Sequence, residues 1–444
     1  VTAAADAGAD VIVVGAGSSG CVVAERLSRD PTRTVIVLEA GGGAPSASAL
    51  RLDRLPIGVG SDRVVHYPSR QGFDLPRGRG LGGSSAVNGG YFLRWHRGDF
   101  DRWSPQVWPM GSIEAAFDHL DGGSAGGGVM NVSSFADDEL HPYAQAFEKH
   151  WRRAGFDPMT SAWPGVGIVR VRSNRDGWSR HSAAGLLEAA LARPNVRMLT
   201  HSQAVQLRRS GGRVSGVVVG EQVLSADEVI LCAGTLGTAE LLARSGVAEI
   251  EDAALWEHRE QLVRFTPRGH LDRAGALLQT VLHTRDGLEV RCYNDDFAQF
   301  IDGLPPSTPA FGVALMKPEY AGSVSWDPVA RLRVDLGEVS AGDSEKIRQC
   351  AERVVSMLDG SDFEELVQPG SPWIEPVVRT SQHAWGTMPM GVRTNWLGGV
   401  DEMPGLRIVD ASILPTAGSS GPHATVMMVA WHIADTLANG KLTV

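Results

Sequence analysis

A chain of 444 residues is too long for one ordinary hydrophobic core, so two lobes are expected. Its 43% hydrophobic and 21% charged residues are a globular balance, and a net charge of −10 gives no electrostatic reason to expect nucleic acid or an anionic membrane as partner. Four scattered cysteines (Cys21, Cys232, Cys292, Cys350) form no CxxC pair, which argues against a disulfide framework or a zinc site and for a reducing compartment. No apolar run reaches the roughly 18 residues of a membrane span. The opening VTAAADAGAD lacks a basic, apolar leader. A cytoplasmic protein without an integral membrane segment is expected.

In chain order, DVIVVGAGSSGCVVAERLSRD (10–30) predicts a buried strand, a Gly-rich turn and a helix. TVIVLEA (34–40) predicts a second apolar strand, which completes a βαβ unit. GGGAPSAS (41–48) reads as a loop, and DGGSAGGGVMNVSS (121–134) as a flexible connection between lobes. The latter formally matches the nucleophile elbow of serine hydrolases, but neither the strand nor the helix that such an elbow needs flanks it. Residues 205–220 predict a hairpin, 227–234 a buried strand entering a Gly turn, and 276–340 several strands. A helix over 344–358, a strand and turn over 406–415 and an apolar helix over 423–437 close the chain. Strands of one nucleotide-type sheet thus recur in all three thirds of the chain. The expected fold is α/β: a discontinuous Rossmann-like domain (1–130, 186–250, 381–444) with an inserted α+β substrate domain on an antiparallel sheet (131–185, 251–380).

Gly15, Gly17 and Gly20, with Ser18 and Ser19 between, form G-x-G-x-x-G directly after a strand and at a helix start. Such glycines allow a tight turn and let the backbone approach a pyrophosphate, which sits on the helix N-terminus. Glu39, followed by Ala40, ends the second strand at the right distance to accept a hydrogen bond from a ribose hydroxyl. These residues predict a dinucleotide site without separating FAD from NAD.

Four further segments carry a resemblance. RGRGLGGSSAVNGGYFLR (77–94) resembles the flavin-contacting segment of the glucose–methanol–choline (GMC) oxidoreductases, and CAGTLGTAELLARSGV (232–247) is similar to their second signature. Ala239 and Ala248 depart from that signature's usual residues. SQHAWGTMPMG (381–391) and VDASILPTAGSSGPHAT (409–425) resemble the family's C-terminal catalytic segments. The resemblance covers the whole chain and implies FAD-dependent oxidation of a small-molecule alcohol, with hydride passing to the flavin and electrons then to oxygen, a quinone or another redox carrier. The opening most resembles the choline-dehydrogenase-like branch. Compact length and a basic complement that is nearly all arginine point to the mycofactocin-associated branch, in which reduced mycofactocin would be the alcohol.

By the same resemblance His383 matches the active-site histidine and His423 the second member of the pair. Imidazole suits the task because its ordinary pKa lies near neutrality, so it can take a hydroxyl proton and return it. The remaining histidines, including His96 and His432, are read as structural. Gly83, Ser84, Asn88 and Gly89 match the segment along the flavin ring, and Val205 the backbone contact to adenine. Asp410 and Ala411 match the ribityl and diphosphate region, and Ala424 the helix start that faces the pyrimidine side. Val87 stands where some relatives carry a linking histidine, so FAD is expected to be non-covalent.

Overall fold

The computed structural model describes residues 8–247, 250–269, 271, 275–329 and 331–440, so Ala248 lies outside the described residues. The β-branched run of Ala9–Val14 forms the middle of a parallel sheet, where both faces are covered and alternation is unnecessary. Val35–Leu38 and Gln222–Leu231 flank it in parallel. Val196–Leu199 lies beyond the first, and Leu406–Ile408 pairs with the second, again in parallel. One sheet is therefore assembled from the beginning, middle and end of the chain. The hairpin Ala204–Ser210 and Arg213–Val219 extends it antiparallel from Gln222–Leu231. Helix Ser18–Leu27 packs on this sheet and helix His423–Ala438 packs beside it, joined by the Arg26–Asp435 ion pair.

A second sheet runs Trp373–Thr380, Arg259–Arg264, Ala310–Leu315, Leu288–Tyr293, Leu278–His283, Gly167–Arg170 and Pro158–Met159, antiparallel except for its last pair. Helices Pro142–Arg153 and Ala341–Leu358 pack on it around a separate apolar core that includes Phe147, Phe265, Phe311 and Phe363. Every residue of the strands Leu278–His283, Leu288–Tyr293 and Ala310–Leu315 is buried. Among their polar members, His283 and Arg291 pair with Glu289, and Tyr293 donates to Glu260 of the neighbouring strand Arg259–Arg264. This is a mixed α/β fold.

Residues 121–134 differ from the expected flexible connection. Helix Met110–Asp121 ends there, a short turn Gly123–Ala125 follows, and Val132–Ser134 pairs with Arg172–Asp176. Buried Asp121 accepts two hydrogen bonds from Arg94, at 2.8 and 2.6 Å, and one from the Gly123 amide at 2.8 Å. The glycines serve close packing, since a Cβ on Gly122 would stand 2.0 Å from the Gly126 carbonyl oxygen.

Candidate active site

A cavity of about 530 Å³ runs from the Gly-rich turn to the two C-terminal histidines. Gly15, Gly17, Ser18 and Ser19 form one end, with Glu39 and Ala40 beside them. Gly83, Ser84, Asn88, Gly89, Asp410 and Ala411 line it as well, with Gly83 packed against Gly17, and so do His383 and His423. Gly20, Val205 and Ala424 are not among the lining residues. Gly20 lies behind the turn, where a Cβ would come within 1.9 Å of the Gly15 carbonyl oxygen and lever the helix away. Ser202, Gln203 and Ala204 border the cavity just before Val205, and Ala424 is buried in the helix that His423 begins.

Glu39 holds the turn together. Its Oε2 accepts from the Ala16 amide at 3.0 Å, and its Oε1 accepts from the Gly41 and Gly80 amides, both at 2.8 Å. One buried carboxylate thereby ties three loops at the mouth of the strands, where α/β sheets bind nucleotides. Asp410 caps the turn Ala411–Ile413 through the Ser412 amide at 2.8 Å and accepts from the Thr238 hydroxyl at 2.6 Å. Burial pushes its carboxyl up despite these donors. Gly89 and Gly234 line the cavity, and a Cβ on either would meet nothing within 4 Å, so the wall leaves room there for a group the protein does not supply. A cleft lined both by a Gly turn that feeds a helix N-terminus and by two imidazoles fits FAD.

His383 is fixed by its backbone as much as by its ring. Gln382 adopts φ +66°, a left-handed conformation that costs a residue with a Cβ on the order of 1–2 kcal/mol. Its side chain is pinned by Arg77 at 3.0 Å and by the Asp74 carbonyl oxygen at 3.1 Å. The His383 amide donates to Glu257 Oε1 at 2.7 Å. Burial raises the Glu257 carboxyl to about 7, although Arg77 pulls it down. The His383 ring meets His258 edge-on, with the two Nδ1 atoms 2.9 Å apart. Burial lowers the His383 pKa well below 6.5; the His258 imidazole and the Arg291 and Arg77 guanidiniums lower it further, while Glu289 opposes them.

His423 opens helix His423–Ala438, sits edge-on to Phe92 with ring centroids 5.2 Å apart, and has Nδ1 3.2 Å from Asn88 Nδ2. Since Asn88 Nδ2 can only donate, His423 Nδ1 accepts and the ring proton lies on Nε2. That nitrogen is buried and makes no hydrogen bond of full geometry, although the Tyr91 carbonyl acts on the ring. Burial lowers the His423 pKa to about 4, so the ring stays neutral. A Cβ on Gly421 would stand 3.4 Å from His383 Cε1 and 3.3 Å from Tyr91 Cε1, so the segment entering His423 lies directly against His383. Neutral imidazoles from two remote segments thus converge on one cavity.

Sequence reasoning did not single out His258, Glu257, Arg77 or Tyr91 as parts of this site. His258 and Glu257 precede a strand of the other sheet with no local pattern to mark them. His432 is structural, bonding the Val107 carbonyl oxygen at 2.7 Å. His96 pairs with His283 at 2.8 Å, away from the main cavity. Among the described residues there is no group of side chains fit to hold a metal ion and no helix long and apolar enough to cross a membrane.

Family models described as GMC oxidoreductase match residues 9–260 and 328–430. A Rhodococcus erythropolis protein called an uncharacterized GMC-type oxidoreductase is 34% identical, over 95% of this chain and 97% of its own length. An oxygen-dependent choline dehydrogenase of Vibrio vulnificus is 26% identical over 96% of this chain and 94% of its own. Among solved structures, pyridoxine 4-oxidase from Mesorbium loti superposes with a TM-score of 0.85 at 22% identity, covering 96% of this chain and 98% of that one. A formate oxidase of Aspergillus oryzae RIB40 gives a TM-score of 0.82 at 19% identity, with 99% of each chain covered.

Proposed function

The chain belongs to the GMC oxidoreductase family, whose members bind FAD, and we propose that it oxidises a small alcohol to the carbonyl with His383 as general base. FAD held non-covalently in the cavity would supply the two-electron acceptor for the hydride. Ser18 and Ser19 at the helix start would face its diphosphate, with Glu39 near the ribose and Asn88, Gly89 and Ala411 along the ring system. His383 takes the hydroxyl proton on the nitrogen that faces the cavity. His423, neutral and with Nε2 carrying a proton, donates a hydrogen bond to the same oxygen and orients it. Exclusion of water by the buried walls strengthens both contacts. The observation that carries this reading is the convergence of two neutral histidines on the cavity that the Gly-rich turn also lines.

The proposed division of labour follows the two sheets, the parallel one for the cofactor and the antiparallel one (131–185, 251–380) for the alcohol. We place the electrons, after the alcohol step, on an external carrier. In the finer form of this reading reduced mycofactocin is the alcohol and a respiratory carrier the acceptor, which rests on chain length and arginine-rich composition.

His383→Ala should slow anaerobic flavin bleaching by alcohols at least about 100-fold while FAD content stays near wild type. Wild-type bleaching in the variant would end the base assignment, and no bleaching of the wild type by any alcohol, reduced mycofactocin included, would end the alcohol reading. Acid precipitation should release yellow flavin into the supernatant, because Val87 offers no linking atom. Flavin left on the polypeptide would contradict non-covalent binding.

A further inference from the structure

We propose that His258 is a positioning residue that fixes which nitrogen of His383 carries the proton, leaving Nε2 of His383 bare toward the cavity. The inference deepens the reading of His383 as base and rests on it for its catalytic consequence, although not for the tautomer itself.

Two imidazole Nδ1 atoms 2.9 Å apart can hold only one hydrogen between them. If His383 donates, its Nδ1 is protonated and its Nε2 is a lone pair. If His258 donates, His383 carries its proton on Nε2 and cannot accept one there. The choice is made on the far side of His258. That ring has no solvent exposure and lies 4.6 Å from the Trp385 ring, tilted 55° to it. Its Nε2 makes no hydrogen bond of full geometry; the Met316 carbonyl acts on this ring in favour of a proton, and because Nδ1 is taken up by His383 that influence is assigned to Nε2. A lone pair aimed at a carbonyl oxygen in a buried pocket is repulsive, whereas an N–H is attracted. His258 therefore carries its proton on Nε2, its Nδ1 accepts, and His383 donates from Nδ1.

The surroundings keep this arrangement in one charge state. Burial and the Arg291 guanidinium lower the His258 pKa to about 3, with Glu289 the opposing charge, so His258 remains a neutral acceptor. The charged groups that act on His383 are Arg291, Arg77 and Glu289, with Glu257 on its backbone amide. Burial raises Glu289, but Arg291 and hydrogen bonds from His283 and Tyr91 outweigh that and hold the carboxyl well below its usual range. Arg291 also donates to Ser381 Oγ at 2.9 Å, two residues before His383. When His383 takes a proton on Nε2, the resulting imidazolium keeps its Nδ1–H on the same neutral acceptor. No proton has to rearrange before the base acts.

The test uses the FAD-loaded enzyme with ¹⁵N-labelled histidine, the His383 signal being the one lost in His383→Ala. Above pH 7 the wild type should show His383 as the Nδ1–H tautomer; an Nε2–H signature overturns the proposal outright. His258→Phe keeps a flat ring and removes the acceptor. It should move His383 toward the Nε2–H form and lower kcat for alcohol-driven flavin reduction at least about 10-fold, with KM within about twofold. In serine proteases a wrongly held histidine tautomer costs about 10⁴, so the expected loss is a lower bound. His258→Asn places a carbonyl oxygen where Nδ1 stood and should recover most of the rate. Equal losses in the Phe and Asn variants at full FAD content would reduce His258 to packing and overturn the proposal. Should the Phe variant fail to fold, the wild-type spectrum and the Asn variant still decide. If His383→Ala proves harmless while the Nδ1–H tautomer is seen, the base reading fails and the tautomer assignment stands.

Discussion

At the scale of single residues, Glu39 has more to do than its place in the sequence suggests. A ribose hydroxyl could meet it, yet both its oxygens already accept amides from three loops. Glu39→Ala strips three buried N–H groups of their acceptor, which costs about 1–3 kcal/mol for each that water cannot reach. The variant should have lower FAD occupancy and a lower Tm, and Glu39→Gln should keep part of both. FAD affinity equal to wild type in Glu39→Ala would remove the residue from the cofactor site. The pH profile belongs at this scale too. Because burial holds His383 neutral well below its ordinary value, the rate of flavin reduction should stay level as pH falls to about 6.5 and drop only below that. A midpoint at or above 7 would exclude His383 as the titrating base. His383 and His423 were legible because each stands in its own motif. His258, Glu257 and Arg77 were not, because their role exists only once a strand of the second sheet lies beside residue 383.

Among the elements, the turn from Ala9–Val14 into Ser18–Leu27 leaves little room for any side chain at Gly20. Gly20→Ala would drive a methyl group against the Gly15 carbonyl oxygen and shift the first helical turn. The expected result is a folded protein with far weaker FAD binding, read by flavin fluorescence of the purified variant; normal FAD content would show that the helix start can move without loss. The strand, turn and helix here were legible because period, glycine spacing and the β-branched run agree. Residues 121–134 were not, because glycines that permit flexibility and glycines that permit contact look alike in sequence. Their meaning depends on Arg94, buried and bonded to Asp121, which only the fold brings near. The helix predicted from 344 begins at Ala341, since Ser340 Oγ caps it through the Asp343 amide at 3.0 Å, a cap that lies ahead of the apolar period.

For the molecule as a whole, buried neutral histidines set the response to acid. His258 is held at about 3, and His96 and His423 at about 4, all chiefly by burial. The unfolded chain takes up protons near 6.5 that the folded chain refuses, so stability present above 6.5 is lost as pH falls, by about 1.4 kcal/mol per unit for each such group. Glu257 works the other way. Raised to about 7, it contributes stability that is full below 4.5 and lost as pH rises through 7. The histidines outnumber it, so Tm should fall between pH 6.5 and 5, and an unchanged Tm over that span would refute the balance.

A sheet that takes strands from residues 9, 35, 196, 222 and 406 also constrains how the protein is made. The edge strand Leu406–Ile408, and then the helix that carries His423, leave the ribosome after nearly everything they must join. Until they dock, the nucleotide turn has its first strand and helix but no far wall, and an oxidisable cofactor would lie open to solvent. Loading would thereby wait until residues 406–438 have been made. A nascent chain stalled before residue 406 should bind flavin poorly, however well its N-terminal half has folded.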